Sequence, residues 1–195
     1  MLLINQSSLN LSVKKILIIG TAQCVWNDLD QVKSDHTDVM VVSDIGAYLP
    51  WPVHHWVTLH PENLSGWMRL RAHHKHGLPL VPRTHSAKAY NGIDKIWDIP
   101  NTGGGSGMYA IKVALRLGYE NITLAGIPMD GTSHFFDPPW VGSTCAGRLM
   151  RGAWQLEIDR NPSPWKKVRS LSGWTMNYVG TLKIRTKRRS SEGGN

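Results

Sequence analysis

The sequence predicts an α/β protein with a single domain, in which helices flank a mainly parallel β-sheet. Short apolar runs alternate along the chain with longer segments whose apolar residues recur at helical spacing. The 195 residues are 41% hydrophobic, which is enough apolar material for one core. Since no run of about 18 apolar residues is present, the sequence predicts no membrane span.

Continuous apolar runs are typical of strands that are buried on both faces of a parallel sheet. Such runs, of which the fourth and fifth are the weakest, lie at residues 14–20, 38–44, 55–61, 77–82, 95–100 and 121–130. Helical spacing marks the segments between and after them, at residues 25–34, 62–76, 106–119 and 144–158. The alternation predicts a Rossmann-like sheet, whereas residues 168–180 fit neither pattern.

The charge of the chain is concentrated at its end. The net charge is +8, and residues 183–195 carry five basic residues against one acidic residue. We therefore divide the chain into a leader (1–13), a Rossmann-like domain (14–182) and a flexible basic tail (183–195). The tail is either a solubilising end or a weak electrostatic contact for nucleic acid or an acidic surface.

The two cysteines, Cys24 and Cys145, lie far apart and form no CxxC pair. This usage fits a reducing compartment, so we expect a cytoplasmic protein. The histidines at 73–76 have no cysteine or carboxylate cluster beside them, and we predict no metal site there. The sequence leaves the oligomeric state open.

The stretch NTGGGSGMYA, residues 101–110, places four glycines directly before the clearest helix. Glycines accept positive φ and let a ligand approach the backbone, and Ser106 is suited to cap the helix. Free amides and the helix dipole favour an anion at such a position. The stretch is neither a Walker A loop nor a GxGxxG fingerprint. It is either a phosphate or nucleotide cradle or a structural turn.

Residues 104–130 resemble a segment shared by bacterial CMP-sialic-acid-dependent sialyltransferases and the MptE-like family, which includes pterin diphosphokinases. The shared pattern is a Ser-Gly loop, an apolar helix that ends in Gly-Tyr, and a strand that ends in Gly-Ile-Asp. The matching positions here are Gly104, Gly105, Ser106, Gly107, Gly118, Tyr119, Gly126 and Ile127. The resemblance implies a nucleotide-binding Rossmann-like fold and a transferase.

The chain departs from that pattern at three loops. Only Gly20 matches the glycine-rich first loop, His60 replaces an Asn or Asp after the third strand, and Asp130 stands two residues beyond the Pro of Gly-Ile-Pro. The donor therefore stays open between CMP-sialic acid, another nucleotide sugar, and ATP.

Binding roles follow from the loops at the carboxyl ends of the strands, where doubly wound sheets bind ligands. Phosphates, or the base and ribose, would lie against Thr102, Gly104, Gly105, Ser106 and Gly107. Gly20 and Thr21 would shape the other side of the crevice. Asp44 either binds a ribose hydroxyl or caps a helix. Asp130 binds Mg²⁺ or ribose, or belongs to an ordinary turn.

His60 and His134 are the candidate general bases, since neutral imidazole can take a proton from an acceptor hydroxyl. Each is otherwise an ordinary hydrogen-bonded or surface histidine. We predict a glycosyltransferase-like enzyme that uses a nucleotide-sugar donor. The alternatives are a Mg-dependent pyrophosphokinase of the MptE-like type, and a non-catalytic nucleotide-binding module that docks on nucleic acid or a protein partner.

Overall fold

A computed structural model describes residues 13–32, 38–74, 82–100, 103–138 and 147–180. The predicted leader, apart from Val13, and the predicted basic tail lie outside the described residues. The domain boundaries at both ends therefore stay predictions.

The described strands form one seven-stranded sheet in the order β5-β4-β3-β2-β1-β6-β7, and every neighbouring pair is parallel. The strands are β1 (Lys15–Ile19), β2 (Asp38–Val42), β3 (His55–Thr58), β4 (Arg83–Ser86), β5 (Lys95–Ile96), β6 (Asn121–Ala125) and β7 (Val168–Ser170). This confirms the predicted α/β class. The strand order reverses between β1 and β6, which makes that crevice the switch point of the sheet.

Helices cover both faces of the sheet because successive side chains of a strand point to opposite sides. They are α1 (Val25–Gln31), α2 (Leu64–His73), α3 (Gly105–Arg116), α4 (Gly147–Arg160), α5 (Pro162–Trp165) and α6 (Gly173–Val179). Ile16 and Ile18 of β1 pack in the core with α3, whereas Leu17 and Ile19 pack in the core with α1. None of the helices in the described ranges has the length and apolar character needed to cross a bilayer.

Two segments differ from the sequence prediction. The fourth strand is Arg83–Ser86, directly after the predicted run 77–82, of which only Pro82 is described. Its buried side chains are polar, so apolarity could not mark it. Residues 168–180, which fit no pattern, form β7 and α6.

A directional chain of hydrogen bonds runs through the core from Trp97 to Asp38. Trp97 Nε1–H donates to Nδ1 of His85 (3.0 Å), so Nε2–H of His85 donates to Nδ1 of His55 (2.9 Å). Nε2–H of His55 then donates to the Tyr119 hydroxyl (3.0 Å), which donates to Asp38 (2.5 Å). Burial lowers the pKa of His55 and of His85 from 6.5 to about 4.

A buried arginine holds the segment that follows β2. The guanidinium of Arg71, on α2, donates to the carbonyl oxygens of Gly46 and Leu49 at 2.7 Å and of Trp51 at 2.6 Å. Arg71 is fully buried, and its bonds to Gly46 and Leu49 lie away from solvent. These bonds tie the 3₁₀ turn Ser43–Ala47, which carries Asp44, to α2.

Candidate functional site

A cavity of about 550 Å³ opens at the carboxyl ends of β1, β2, β3 and β6. Its walls come from the loops that follow these strands, from the glycine loop before α3, and from Gly147 and Met150 of α4. The β1–β6 switch point therefore forms part of the cavity, which is where parallel α/β sheets bind their ligands.

The structure brings together at this cavity every described residue that the sequence analysis named for the site. These residues are Gly20, Thr21, Asp44, His60, Gly104, Gly105, Ser106, Gly107, Asp130 and His134. Thr102 lies outside the described residues. The cavity has further lining residues in the same loops, among them Ser43 and Met129, to which the sequence assigned no role.

The glycine loop opens the first turn of α3 towards the cavity. α3 begins at Gly105 with Gly104 in the capping position, so the prediction that Ser106 caps the helix was wrong. Gly103 and Gly105 have φ of +82° and +71°, values that glycine adopts without strain. Gly105 and Ser106 line the cavity, and the amides of a first helical turn have no acceptor within the helix.

Close packing requires glycine at position 20, whether or not Gly20 also contacts a ligand. A Cβ on Gly20 would lie 2.6 Å from the carbonyl oxygen of Gly126, and a Cβ on Gly126 would lie 2.6 Å from that of Gly20. The carboxylate of Asp28 accepts the Gly126 amide (2.8 Å) and the Ser172 hydroxyl (2.7 Å) beneath them. Asp28 and Ser172 thus hold Gly126 in the cavity wall, and no motif in the sequence indicated them.

Among the described residues, the strained backbone lies in the cavity wall. Ser43 and Met129, with φ of 56° and 52°, are the non-glycine residues of positive φ in the described ranges, and both line the cavity. Trp56 Nε1–H donates to the Ser43 carbonyl and Arg151 Nε–H to that of Met129, each at 2.6 Å. Such strain persists only where surrounding contacts impose it, and it clusters at functional sites.

The two carboxylates that line the cavity, Asp130 and Asp44, differ in their hydrogen bonds and surroundings. Asp130 accepts the amide of Thr132 at 2.9 Å and also its hydroxyl, as in an Asx turn. Asp44 is half-buried within its 3₁₀ turn, in which Val42 and not Asp44 holds the capping position. Burial raises the pKa of Asp44, while the nearby imidazole of His134 lowers it.

Positive charge in the cavity comes from the backbone. No lysine or arginine lines it among the residues that the structure describes. Arg148 and Arg151 of α4 lie close by, but their guanidinium groups donate to the carbonyl oxygens of Asp130 and Met129. Within the described ranges, no group of three His, Cys, Asp or Glu side chains could hold a metal ion.

The two candidate bases differ in their surroundings. Nδ1 of His60 lies 3.3 Å from Glu62, but the two side chains are 65% and 50% exposed. Nδ1 of His134 lies 3.2 Å from Asp137, and these side chains are 32% and 14% exposed. Water screens the first pair more strongly, so His134 has the better setting for proton transfer.

Solved structures with the same fold are bacterial sialyltransferases. The sialyltransferase CST-II, in complex with a trisaccharide acceptor and CMP, has a TM-score of 0.58 and 15% identity over 86% of each chain. CstII from Campylobacter jejuni, solved with CMP-3FNeuAc, has a TM-score of 0.55 and 17% sequence identity over 87% of this chain and 86% of that one. The monofunctional α-2,3-sialyltransferase Cst-I from the same organism has a TM-score of 0.56 and 13% sequence identity over 93% of this chain and 84% of that one.

These likenesses establish the fold that the resemblance of residues 104–130 implied. No protein-family model matches the sequence, and no curated protein matches it significantly.

Proposed function

We propose that the protein transfers a sugar from a nucleotide-sugar donor to an acceptor hydroxyl, and that one phosphate links the sugar to the nucleoside. The observation that carries this proposal is the position of the first turn of α3 at the wall of the switch-point cavity. A helix amino terminus binds a phosphate through its amides and its dipole.

The charge of the cavity favours a single phosphate. The amino terminus of α3 provides the equivalent of about half a positive charge. The described lining adds no lysine or arginine, and it includes the carboxylates of Asp44 and Asp130. A nucleoside diphosphate or ATP would bring more negative charge than this wall offsets. CMP-sugars are the common donors with one phosphate, and CST-II was solved with CMP.

Direct displacement uses the groups that line this cavity. The oxygen of the acceptor hydroxyl bonds to the anomeric carbon, and the bond from that carbon to the phosphate oxygen breaks. The electron pair leaves with the phosphate, whose charge the α3 amides stabilise. His134 takes the hydroxyl proton, and Asp44 accepts a hydrogen bond from a ribose hydroxyl.

Substitution of Ser106 tests the phosphate site. In Ser106→Asp, a carboxylate in the first turn of α3 should stabilise the helix but repel a phosphate. We expect CMP to raise the melting temperature of the wild type, and Ser106→Asp to weaken CMP binding by about tenfold or more in calorimetry. Ser106→Asn, similar in size to Asp but neutral, is the control. Equal CMP affinity in both variants would contradict the assignment.

A donor panel tests the reaction. We expect CMP and a CMP-sugar to bind better than UDP, GDP and ATP, and the CMP-sugar to be slowly hydrolysed without an acceptor. Tight binding with no hydrolysis and no transfer would support the non-catalytic binding module instead. Preferential binding of ATP with Mg²⁺ would support the pyrophosphokinase.

A further inference from the structure

We infer that Asp137 is a positioning residue that holds His134 in the orientation and tautomer of a general base. The assignment of a base rests on the proposed function, whereas the arrangement of the two side chains does not depend on it. Nothing in the sequence indicated Asp137, because an Asp three residues after a His is common in turns.

One carboxylate oxygen of Asp137 holds both the backbone and the ring of His134. The amide of His134 donates to Oδ2 at 2.9 Å, and Nδ1 of the ring lies 3.2 Å from the same atom. The amide of Asp137 donates back to the carbonyl oxygen of His134 at 3.1 Å. The ring and its partner therefore belong to one closed turn, which limits how far either can move.

The surrounding loops fix that turn against the first strand loop. Ala22 and His134 form a β-bridge, and the amide of Phe135 donates to the Thr21 carbonyl at 2.9 Å. The ring of Phe136 stacks on His134 with centroids 5.2 Å apart and planes 9° apart. His134 is thus held from the backbone and from one ring face at the wall of the cavity.

The chemical consequence concerns the other ring nitrogen. A carboxylate beside Nδ1 favours the tautomer with the proton on Nδ1, which leaves the lone pair on Nε2. When Nε2 takes the proton of the acceptor hydroxyl, the imidazolium that forms is next to the Asp137 carboxylate, whose side chain is 14% exposed. Asp44 is a second carboxylate close enough to interact with that charge.

Nitrogen NMR of the histidine rings tests the tautomer without a donor or an acceptor. We expect His134 of the wild type to carry its proton on Nδ1 at pH 8. Asp137→Ala should shift His134 towards the Nε2–H form that predominates in water. Glu62→Gln, which alters the partner of His60, is the matched control and should leave His134 unchanged. The buried rings of His55 and His85 report on whether each variant is folded.

A wild-type His134 protonated mainly on Nε2, or a tautomer that Asp137→Ala does not change, would overturn the inference. If Asp137→Ala fails to fold, the tautomer of wild-type His134 decides by itself, because the oxygen of Asp137→Asn could still accept from Nδ1–H. Should CMP-sugar turnover be found, Asp137→Asn should lower kcat by about 10- to 100-fold with KM little changed. The NMR result stands or falls by itself if no turnover is found.

Discussion

The buried imidazoles of His55 and His85 should make the fold sensitive to mild acid. Their pKa lies at about 4 in the folded protein and at 6.5 for the free side chain. Because the unfolded state binds more protons between these values, the stability is fully present above pH 6.5 and is lost as the pH falls towards 4. His55 is 8% and His85 2% exposed, so solvent screens neither ring appreciably.

The size of the effect follows from the difference in pKa. Between pH 8 and pH 5, a single imidazole with these pKa values lowers the free energy of unfolding by about 2 kcal/mol. The two rings share a hydrogen bond, so they titrate as a pair and their separate contributions do not simply add. A domain with a typical stability of about 5–15 kcal/mol would lose a substantial share of it. Asp44 opposes the loss slightly, because its raised pKa lets the folded state take up a proton as the pH falls.

Urea unfolding at pH 8, 6.5 and 5, followed by tryptophan fluorescence, measures the free energy directly. The control is His73→Gln, since His73 is exposed at the end of α2 and its loss should not alter the pH dependence. A change of less than about 1 kcal/mol between pH 8 and pH 5 would refute the reasoning. So would ring resonances of His55 and His85 that titrate near pH 6.5 in the folded protein.

Other substitutions probe the contacts around the site. Gly126→Ala should destabilise the protein by at least about 2 kcal/mol in urea unfolding, because φ of Gly126 is +64° and the new Cβ meets the Gly20 carbonyl. The control Gly66→Ala has open space around the new Cβ and should be neutral or stabilising. Arg71→Met should cost about 3 kcal/mol, since two buried carbonyl groups and a partly buried one lose their donor. The same change at the exposed Arg69 should cost little. In a Cys145→Ser background, native Cys24 should react slowly with iodoacetamide at pH 8, because burial raises its pKa to about 12; rapid labelling before unfolding would contradict this.

Local patterns in the sequence predicted four strands of the sheet and the helix at the mouth of the cavity. β1, β2, β3 and β6 lie where continuous apolar runs predicted them, and α3 follows the glycine loop. Both features depend on residues close together in the chain. Loops at the carboxyl ends of parallel strands lie at one edge of the sheet, which indicated which polar residues would come together. Those that the structure describes line one cavity.

The sequence alone therefore determined the α/β class and the glycine loop, and it indicated where the candidate site lies. The tertiary structure decided which side chains meet there: Asp137 beside His134, Asp28 beneath Gly126, and the chain from Trp97 to Asp38. The last two contacts depend on the order of the strands and on the packing of the helices, and the first on the course of a loop. The spacing of apolar residues and the position of glycines depend on local backbone geometry. They therefore carry no information about which side chains come into contact in the folded protein.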